Sequence, residues 1–349
     1  MVARIVGVDI GRDMIRAVEV ENADKARPVV VRHGAIGLPP GAVSAGEVRE
    51  LGPVTAAVKK LWSTAGFKTK TVVIGMGNQR VLARDLTVPK MGIEQIRESL
   101  PFQVQEMLPV PVSEALLDFY PISEGLGEGG PVINGLLIAA IKESVMANIK
   151  AVKLGGLKTA RVDLVPFALS RAFLRGPLGD ATVALFDIGA STTNVVVATK
   201  GVPQFVRMIP AGGQDMTDAL MTHLQVTAEQ AEQIKQQRGI SNAPVSSEIE
   251  QRAAQVMLEQ AQQLVSNLRN TLNYYASSHP SEPVQVIALT GGAASLPGFA
   301  QTLSELVRLQ VVSPDPFSTL DLSKSVQKAT PFERQSMAAA LGLALGSVA

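Results

Sequence analysis

The sequence predicts an α/β fold built from two related lobes. Strand-like and helix-like segments alternate along all 349 residues. In addition, VGVDIGRDMIRAVEV (6–20) aligns without a gap with ALFDIGASTTNVVVA (184–198): apolar run, D-I-G, five mostly polar positions, apolar run. A shared D-I-G is common by chance, but its repetition inside matching strand–turn–strand contexts makes duplication the economical reading. Length points the same way, because a chain of this size suits two domains or one bilobed fold.

The elements follow in order. RIVGVDI (4–10) alternates around an apolar centre and enters a turn at Gly11, and MIRAVEVE is the returning strand. Gly52 to Ala65 places Val54, Val58, Leu61 and Trp62 at helical spacing, and TVVIGMG follows as a buried strand. From about residue 79 the texture becomes that of a small α/β insert: the strand RVLARDLTVPKM, a helix IEQIRESLPFQVQEML interrupted at Pro101, the strand EALLDFYPI, the glycine-rich loop SEGLGEGGP, the strand NGLLIAAI and the helix SVMANIKAVKLGG. A strand LKTARVDLV and a short helix lead to the second D-I-G. Thr227 caps a helix over 227–239 that stops at Gly239, and 246–277 is a long polar helix with one apolar stripe. VQVIALTGG, GFAQTLSELV and a small-residue helix MAAALGLALGSVA complete the chain.

Composition excludes several functions. With 32 basic and 31 acidic residues the chain lacks the basic excess of a nucleic-acid binder. The absence of cysteine removes disulfides, thiolate metal sites and thiol nucleophiles, and fits a reducing cytoplasm. The 3 histidines are widely spaced, which argues against a histidine metal site. No apolar run approaches the roughly 18 residues of a membrane span, and MVARIVGVDIG does not resemble a signal peptide.

The D-I-G repeats carry the chemistry. A buried strand ending in Asp sets a carboxylate at the mouth of a cleft, and glycine turns the backbone so that N–H groups face an anion. Ser191, Thr192 and Thr193 add hydroxyl donors. A carboxylate beside a phosphate is repulsive without a cation between them, so Asp9 and Asp187 are expected to hold the water shell of Mg²⁺. An Asx turn between core strands is the alternative for one hairpin taken alone. A third segment, IALTGGAASLPGF (287–299), adds a strand, paired glycines and a helix start, where negative charge is favoured.

These three motifs, in this order, resemble the actin-like ATPase superfamily, and the chain as a whole resembles its PilM branch of type IV pilus assembly proteins. The likeness rests on D-I-G-A-S-T-T-N, the insert, and LRNTLNYYASS…VQVIALTGGAASLPGF…DPF. It implies an actin-like fold of duplicated ribonuclease H-like lobes with an FtsA-type 1C insert subdomain. The first lobe is then 1–79, 150–176 and 337–349; the insert 80–149; the second lobe 177–208 and 278–336, with its own insert at 209–277. It implies ATP or ADP with Mg²⁺ at Asp9, Gly11, Asp187, Gly189, Ser191, Thr192, Thr193, Asn194, Gly291, Gly292 and Ser295, with Arg16 where relatives often place a lysine. IPAGGQDMTDAL supplies Gly212 and Gly213, and AEQIK supplies Glu232 and Lys235, three apart on one helix face, for the ribose and adenine. It further implies a scaffold at the inner face of the cell membrane that binds the N-terminal cytoplasmic tail of a PilN-type protein, in a groove where insert and first lobe meet. Contact with the pilus motor ATPase is a further implied partner.

Departures from the pattern shape the expectation. Arg12 and Asp13 follow the first D-I-G where relatives have serine or threonine, so Arg12 either reaches a phosphate or points to solvent. The first connector of many relatives reads E-P-x-A-x-A; here it is DLVPFALSRA, with Val165 in the glutamate's place. Valine cannot act as general base, so hydrolysis is expected to be slow or absent. No catalytic residue is assigned, Asp163 being the nearest candidate. The final helix, with Gly342 and Gly346, is expected to pack as the second connector rather than lie on a membrane. The basic residues Lys142, Lys150, Lys153, Lys158, Arg161, Arg171 and Arg175 are expected on solvated faces, Met91, Met107 and Met146 in the insert's core or a peptide groove, and Tyr274 and Tyr275 as anchors of the long helix. The alternatives are an FtsA-like division ATPase that polymerises at the membrane, and a small-molecule phosphotransferase, for which no catalytic carboxylate aimed at a substrate hydroxyl is evident.

Overall fold

In the computed structural model the first D-I-G lies on a tight hairpin of β1 (Arg4–Ile10) and β2 (Met14–Glu21), continued antiparallel by β3 (Val29–Gly37). The structure describes residues 4–240 and 247–346. Residues 1–3, 241–246 and 347–349, which belong to the expected first lobe, second-lobe insert and terminal helix, lie outside the described residues. A short hairpin, β4 (Val43–Ser44) and β5 (Glu47–Val48), precedes α1 (Leu51–Ala65), whose buried stripe is Val54, Ala57, Val58 and Leu61. That helix stops at Gly66 in the left-handed conformation. β6 (Thr71–Met76) then pairs parallel with β1.

The insert is a three-stranded antiparallel sheet, β7 (Val81–Pro89), β8 (Ala115–Gly127) and β9 (Gly130–Ile141), ordered β7-β9-β8, with α2 (Ile93–Gln103) over one face. Two expectations change here. α2 continues past Pro101 to Gln103, and SEGLG is not a loop but the outer half of β8, paired with β9 down to Gly127↔Gly130. Glycines in a long hairpin mimic a loop in composition, while cross-strand pairing decides the conformation.

α3 (Lys142–Leu154) leaves the insert and packs on α1, so its Ala151 and Val152 join the first lobe's core. β10 (Lys158–Leu164) pairs parallel with β6, and α4 (Val165–Phe173) crosses to the second lobe. That lobe repeats the plan with β11 (Thr182–Ile188), β12 (Thr193–Thr199) and β13 (Val202–Ile209) antiparallel. α5 (Gly213–Leu224), α6 (Ala228–Arg238) and α7 (Glu248–Ser278) follow, and Thr227 caps α6 through a reciprocal bond pair with Gln230. Then come β14 (Val286–Thr290), α8 (Phe299–Val307), β15 (Gln310–Val312), β16 (Asp321–Leu322), α9 (Pro331–Ser336) and α10 (Ala338–Leu345).

The two main sheets run β10-β6-β1-β2-β3-β16 and β13-β12-β11-β14-β15. Read as β3-β2-β1-β6-β10 and β13-β12-β11-β14-β15, they share one topology: three antiparallel strands, then two parallel ones. The duplication visible in the sequence is therefore a duplication of fold. β16, expected in the second lobe, adds parallel to β3 and belongs to the first lobe's sheet. The central strands of both sheets are buried almost throughout, which is why VALF and VVVA read as continuous apolar runs.

Every residue of α10 is buried. Its small residues allow close approach: a Cβ on Gly342 would lie 1.8 Å from the Ala168 carbonyl oxygen on α4. The expected solvated faces are corrected at two positions. Arg161 donates to the Gly346 carbonyl, and Arg171 donates to the Gly342 carbonyl, both at the electronegative end of α10. Met91 and Met107 pack on the insert's core, whereas Met146 is half exposed. On α7 itself, Tyr275 is fully buried and Tyr274 is exposed.

Candidate functional site

The two D-I-G turns are superimposable in their bonding. In the first, Gly11 N–H donates to the Met14 carbonyl at 3.0 Å; in the second, Gly189 N–H donates to the Thr192 carbonyl at 3.0 Å. Asp9 pairs in register with Arg16, and Asp187 with Asn194. Because the glycine amides close their own turns, residues 12–13 and 190–191 are left at the tips.

Asp9 and Asp187 lie close enough for the charge of Asp9 to act on Asp187. Burial raises the Asp9 carboxyl above the usual range, and the Arg16 guanidinium opposes this. Asp187 is pushed up to about 6, first by burial and further by the charge of Asp9, against a hydrogen bond from Asn194 and the charge of Arg16. Two buried carboxylates whose charges repel favour an added cation, while the charge of Arg16 already offsets part of that repulsion. Among the described residues no group of three or more His, Cys, Asp or Glu is arranged to hold a metal directly. Two carboxylates alone suit a cation that keeps most of its waters, as Mg²⁺ does.

The remaining motifs converge on the second turn. Thr290 pairs in register with Asp187, and the backbone of Gly291 (φ +92°) passes so close to Ile188 that a Cβ would sit 2.4 Å from its carbonyl oxygen. Gly213 N–H donates to the Gly189 carbonyl at 2.9 Å, and Gln214 N–H to the Ala190 carbonyl at 2.7 Å. Thr193 donates to the Ala211 carbonyl at 2.7 Å. Gly212 N–H is taken by the Asp215 carboxylate. Gly212, Gly213 and Thr193 therefore brace the turn instead of offering free donors. Ser191 and Thr192 stay partly exposed on it, Gly292 faces open space, and Ser295 is exposed at the end of the T-G-G segment.

Lys235 lies beneath this cradle. Its buried ammonium donates to the Gly213 carbonyl at 3.1 Å and Thr217 at 2.8 Å, and pairs with Glu232 at 2.6 Å. All three of its protons are engaged. Burial acts to raise Glu232, but hydrogen bonds from Lys235, Gln236 and Thr217 outweigh it and hold the carboxyl low. Glu232, with its side chain 41% exposed, is the member of the pair that reaches the surface. Thr217, which joins both, was missed in the sequence; its place one turn after Gly213 was the available signal.

Asp163 is engaged elsewhere. It pairs with Arg171, and its other oxygen accepts from Leu164 N–H at 2.7 Å. Val165 is buried at the start of α4. Arg12 contacts its neighbour Asp13 at 3.6 Å on the partly exposed tip.

Similarity to known proteins runs in the same direction. A family model described as type IV pilus assembly protein PilM matches residues 7–348. A solved PilM–PilN type IV pilus biogenesis complex contains a chain 25% identical, with a TM-score of 0.85, covering 98% of this chain and 97% of that one. MreB5 of Spiroplasma citri, solved bound to AMPPNP, shares the fold at a TM-score of 0.55 and 10% identity, covering 97% of this chain and 94% of that one. The cell division protein FtsA of Bacillus subtilis is 22% identical over 350 residues, 89% of this chain and 78% of that protein. FtsA of Neisseria meningitidis is 24% identical over 367 residues, 92% of this chain and 86% of that protein. The fold is actin-like, and the chain belongs to the PilM family of type IV pilus assembly proteins.

Proposed function

We propose that this chain is an ATP-binding, actin-like scaffold of the type IV pilus inner-membrane platform that captures the N-terminal tail of a PilN-type membrane protein. The observation that carries this reading is the likeness over 98% of the chain to a protein solved as a PilM–PilN complex. In the cleft, Asp9 and Asp187 would hold the water shell of Mg²⁺, the two D-I-G turns with Arg16 would take the phosphates, Gly291 and Gly292 would lie against the base, and Glu232 would meet the ribose. Bound Mg²⁺ supplies charge neutralisation between carboxylates and phosphates.

The tail would dock where the insert meets the first lobe, marked by Tyr120 of β8 packing on Phe167 of α4 with ring centroids 4.6 Å apart. β8 and β10 both end their sheets, so an extended peptide can add to either edge by main-chain hydrogen bonds. No helix among the described residues is long and apolar enough to cross a membrane. Placement at the inner face of the membrane therefore runs through the partner, and contact with the motor ATPase belongs to the same proposal.

With Val165 buried and apolar and Asp163 held by Arg171, the cleft lacks a base at the first connector, so nucleotide serves to brace the lobes and turnover is slow or absent. The test is to purify the protein with a PilN-type tail fused to a carrier and to assay both retained nucleotide and phosphate release. Co-elution with bound nucleotide and turnover far below about 1 s⁻¹ support the reading. Failure to retain the tail, or robust turnover lost on Asp187→Ala, overturns it. A filament-forming, FtsA-like role is the second reading, favoured by the FtsA likeness over about nine-tenths of the chain; nucleotide-dependent sedimentation without any tail would point to it.

A further inference from the structure

We propose that Asn194 is a positioning residue that ties the orientation of Asp187 to closure of the two lobes, through its contact with Gly77. This rests on the reading of the cleft as a nucleotide and Mg²⁺ site.

Asn194 is 5% exposed and uses only half of its amide. Its Nδ2 donates to Asp187 Oδ2 at 3.1 Å, while its Oδ1 is buried and accepts no bond among the described residues. Buried carbonyl oxygens are normally paired, so this one is an acceptor available to a further partner. That oxygen points at the other lobe. A Cβ on Gly77 would come within 3.2 Å of Asn194 Oδ1 and within 2.8 Å of Val165 Cβ. Gly77 directly follows β6, which lies between β10 and β1 in the first lobe's sheet, and Val165 opens α4, the helix that joins the lobes. Three segments thus meet at one point with room only for glycine: the end of β6, the start of the connector, and the second D-I-G hairpin.

The duplicated register isolates what is special about this point. The position equivalent to Asn194 in the first hairpin is Arg16, whose charge acts on both carboxylates. In the second hairpin the same position holds a neutral amide, fixed to Asp187 on one side and abutting the opposite lobe on the other. Rotation of the lobes moves Gly77 against Asn194, and the amide transmits that movement to Asp187. By linkage, a cation that prefers one orientation of Asp187 then favours one lobe angle, and the reverse.

The chain has no cysteine, so spin labels can be placed cleanly at Lys60→Cys on α1 and Gln262→Cys on α7, both exposed. Interlobe distances by double electron–electron resonance and ADP affinity by calorimetry are measured with Mg²⁺ and with chelator. The account predicts that Mg²⁺ tightens ADP binding and narrows the distance distribution in the parent protein. It predicts that Asn194→Ala and Gly77→Ala each lose about tenfold of the Mg²⁺-dependent gain, and that Gly77→Ala, which lies outside the nucleotide-contacting set, changes chelator-state affinity less than about twofold. The double variant should lose no more than either single one, because both cut the same link. Wild-type Mg²⁺ dependence and closure in Gly77→Ala overturn this inference while leaving the cleft assignment intact. Absence of Mg²⁺-dependent ADP binding in the parent protein removes the cleft assignment and this inference with it. If Gly77→Ala unfolds, Asn194→Ala decides alone: retained closure contradicts the inference.

Discussion

Asp187 accepts a hydrogen bond from Asn194 at 3.1 Å at the register position where the first hairpin sets Asp9 against Arg16. The two carboxylates are thus equivalent by fold and differ in their partners; burial raises both, and Asp187 is pushed up to about 6. For the nucleotide-free protein the sign follows directly. An unfolded aspartate titrates near 3.9, so the folded chain holds this proton more tightly. Its stabilising effect is full below about pH 4, declines as pH rises to about 6, and is absent above. The loss is about 2 kcal/mol, allowing for partial solvent access. Urea midpoints at pH 4.5 and 7 check this, and Asp187→Asn should flatten the difference. Cation binding has the opposite trend and weakens as pH falls below about 6.

Arg16 is the cation that both carboxylates feel. If Arg16 is the phosphate donor proposed above, Arg16→Met should lower ADP affinity about 10- to 100-fold by calorimetry. An unchanged affinity would place the phosphates elsewhere.

The connectors give a packing prediction. Gly342→Ala drives a methyl into backbone, with the Ala168 carbonyl oxygen 1.8 Å from the new Cβ, and should destabilise by about 2–3 kcal/mol. A Cβ on Gly346 meets the side-chain head group of Arg171, not backbone; displacing it strains the bonds to Asp163 and the Gly342 carbonyl, so Gly346→Ala should cost less than Gly342→Ala, about 1 kcal/mol. Equal effects in chemical denaturation would contradict this packing of α10 on α4.

Asp163→Asn separates structure from catalysis. The variant leaves Arg171 without its carboxylate and should lower stability by about 1–2 kcal/mol, with phosphate release unchanged from that of the parent protein. A selective loss of turnover with stability intact would restore Asp163 as a catalytic group.

Much of this was legible in the sequence for identifiable reasons. The D-I-G repeat fixes both a turn and a pairing register, so it announced the hairpins, the carboxylates and the duplication together. What was hidden depends on packing between distant segments. Gly77 reads as the end of an apolar strand, and nothing local says that Val165 and Asn194 close over it. Arg161 and Arg171 look like solvated charges because their partners are carbonyls about 170 to 185 residues away on α10. The outer half of β8 failed for a different reason: its glycines suggested a loop, while β9 supplied the pairing that makes it a strand.

The most direct test of the scaffold is calorimetric titration of a synthetic PilN-type tail into the nucleotide-loaded protein, alongside a variant with Tyr120→Ala and Phe167→Ala. The account predicts one-to-one binding that the double variant weakens at least about tenfold, with the cleft's ADP affinity preserved in the variant. No measurable heat of binding at concentrations of about 100 μM, where even a modest Kd would show, would contradict it.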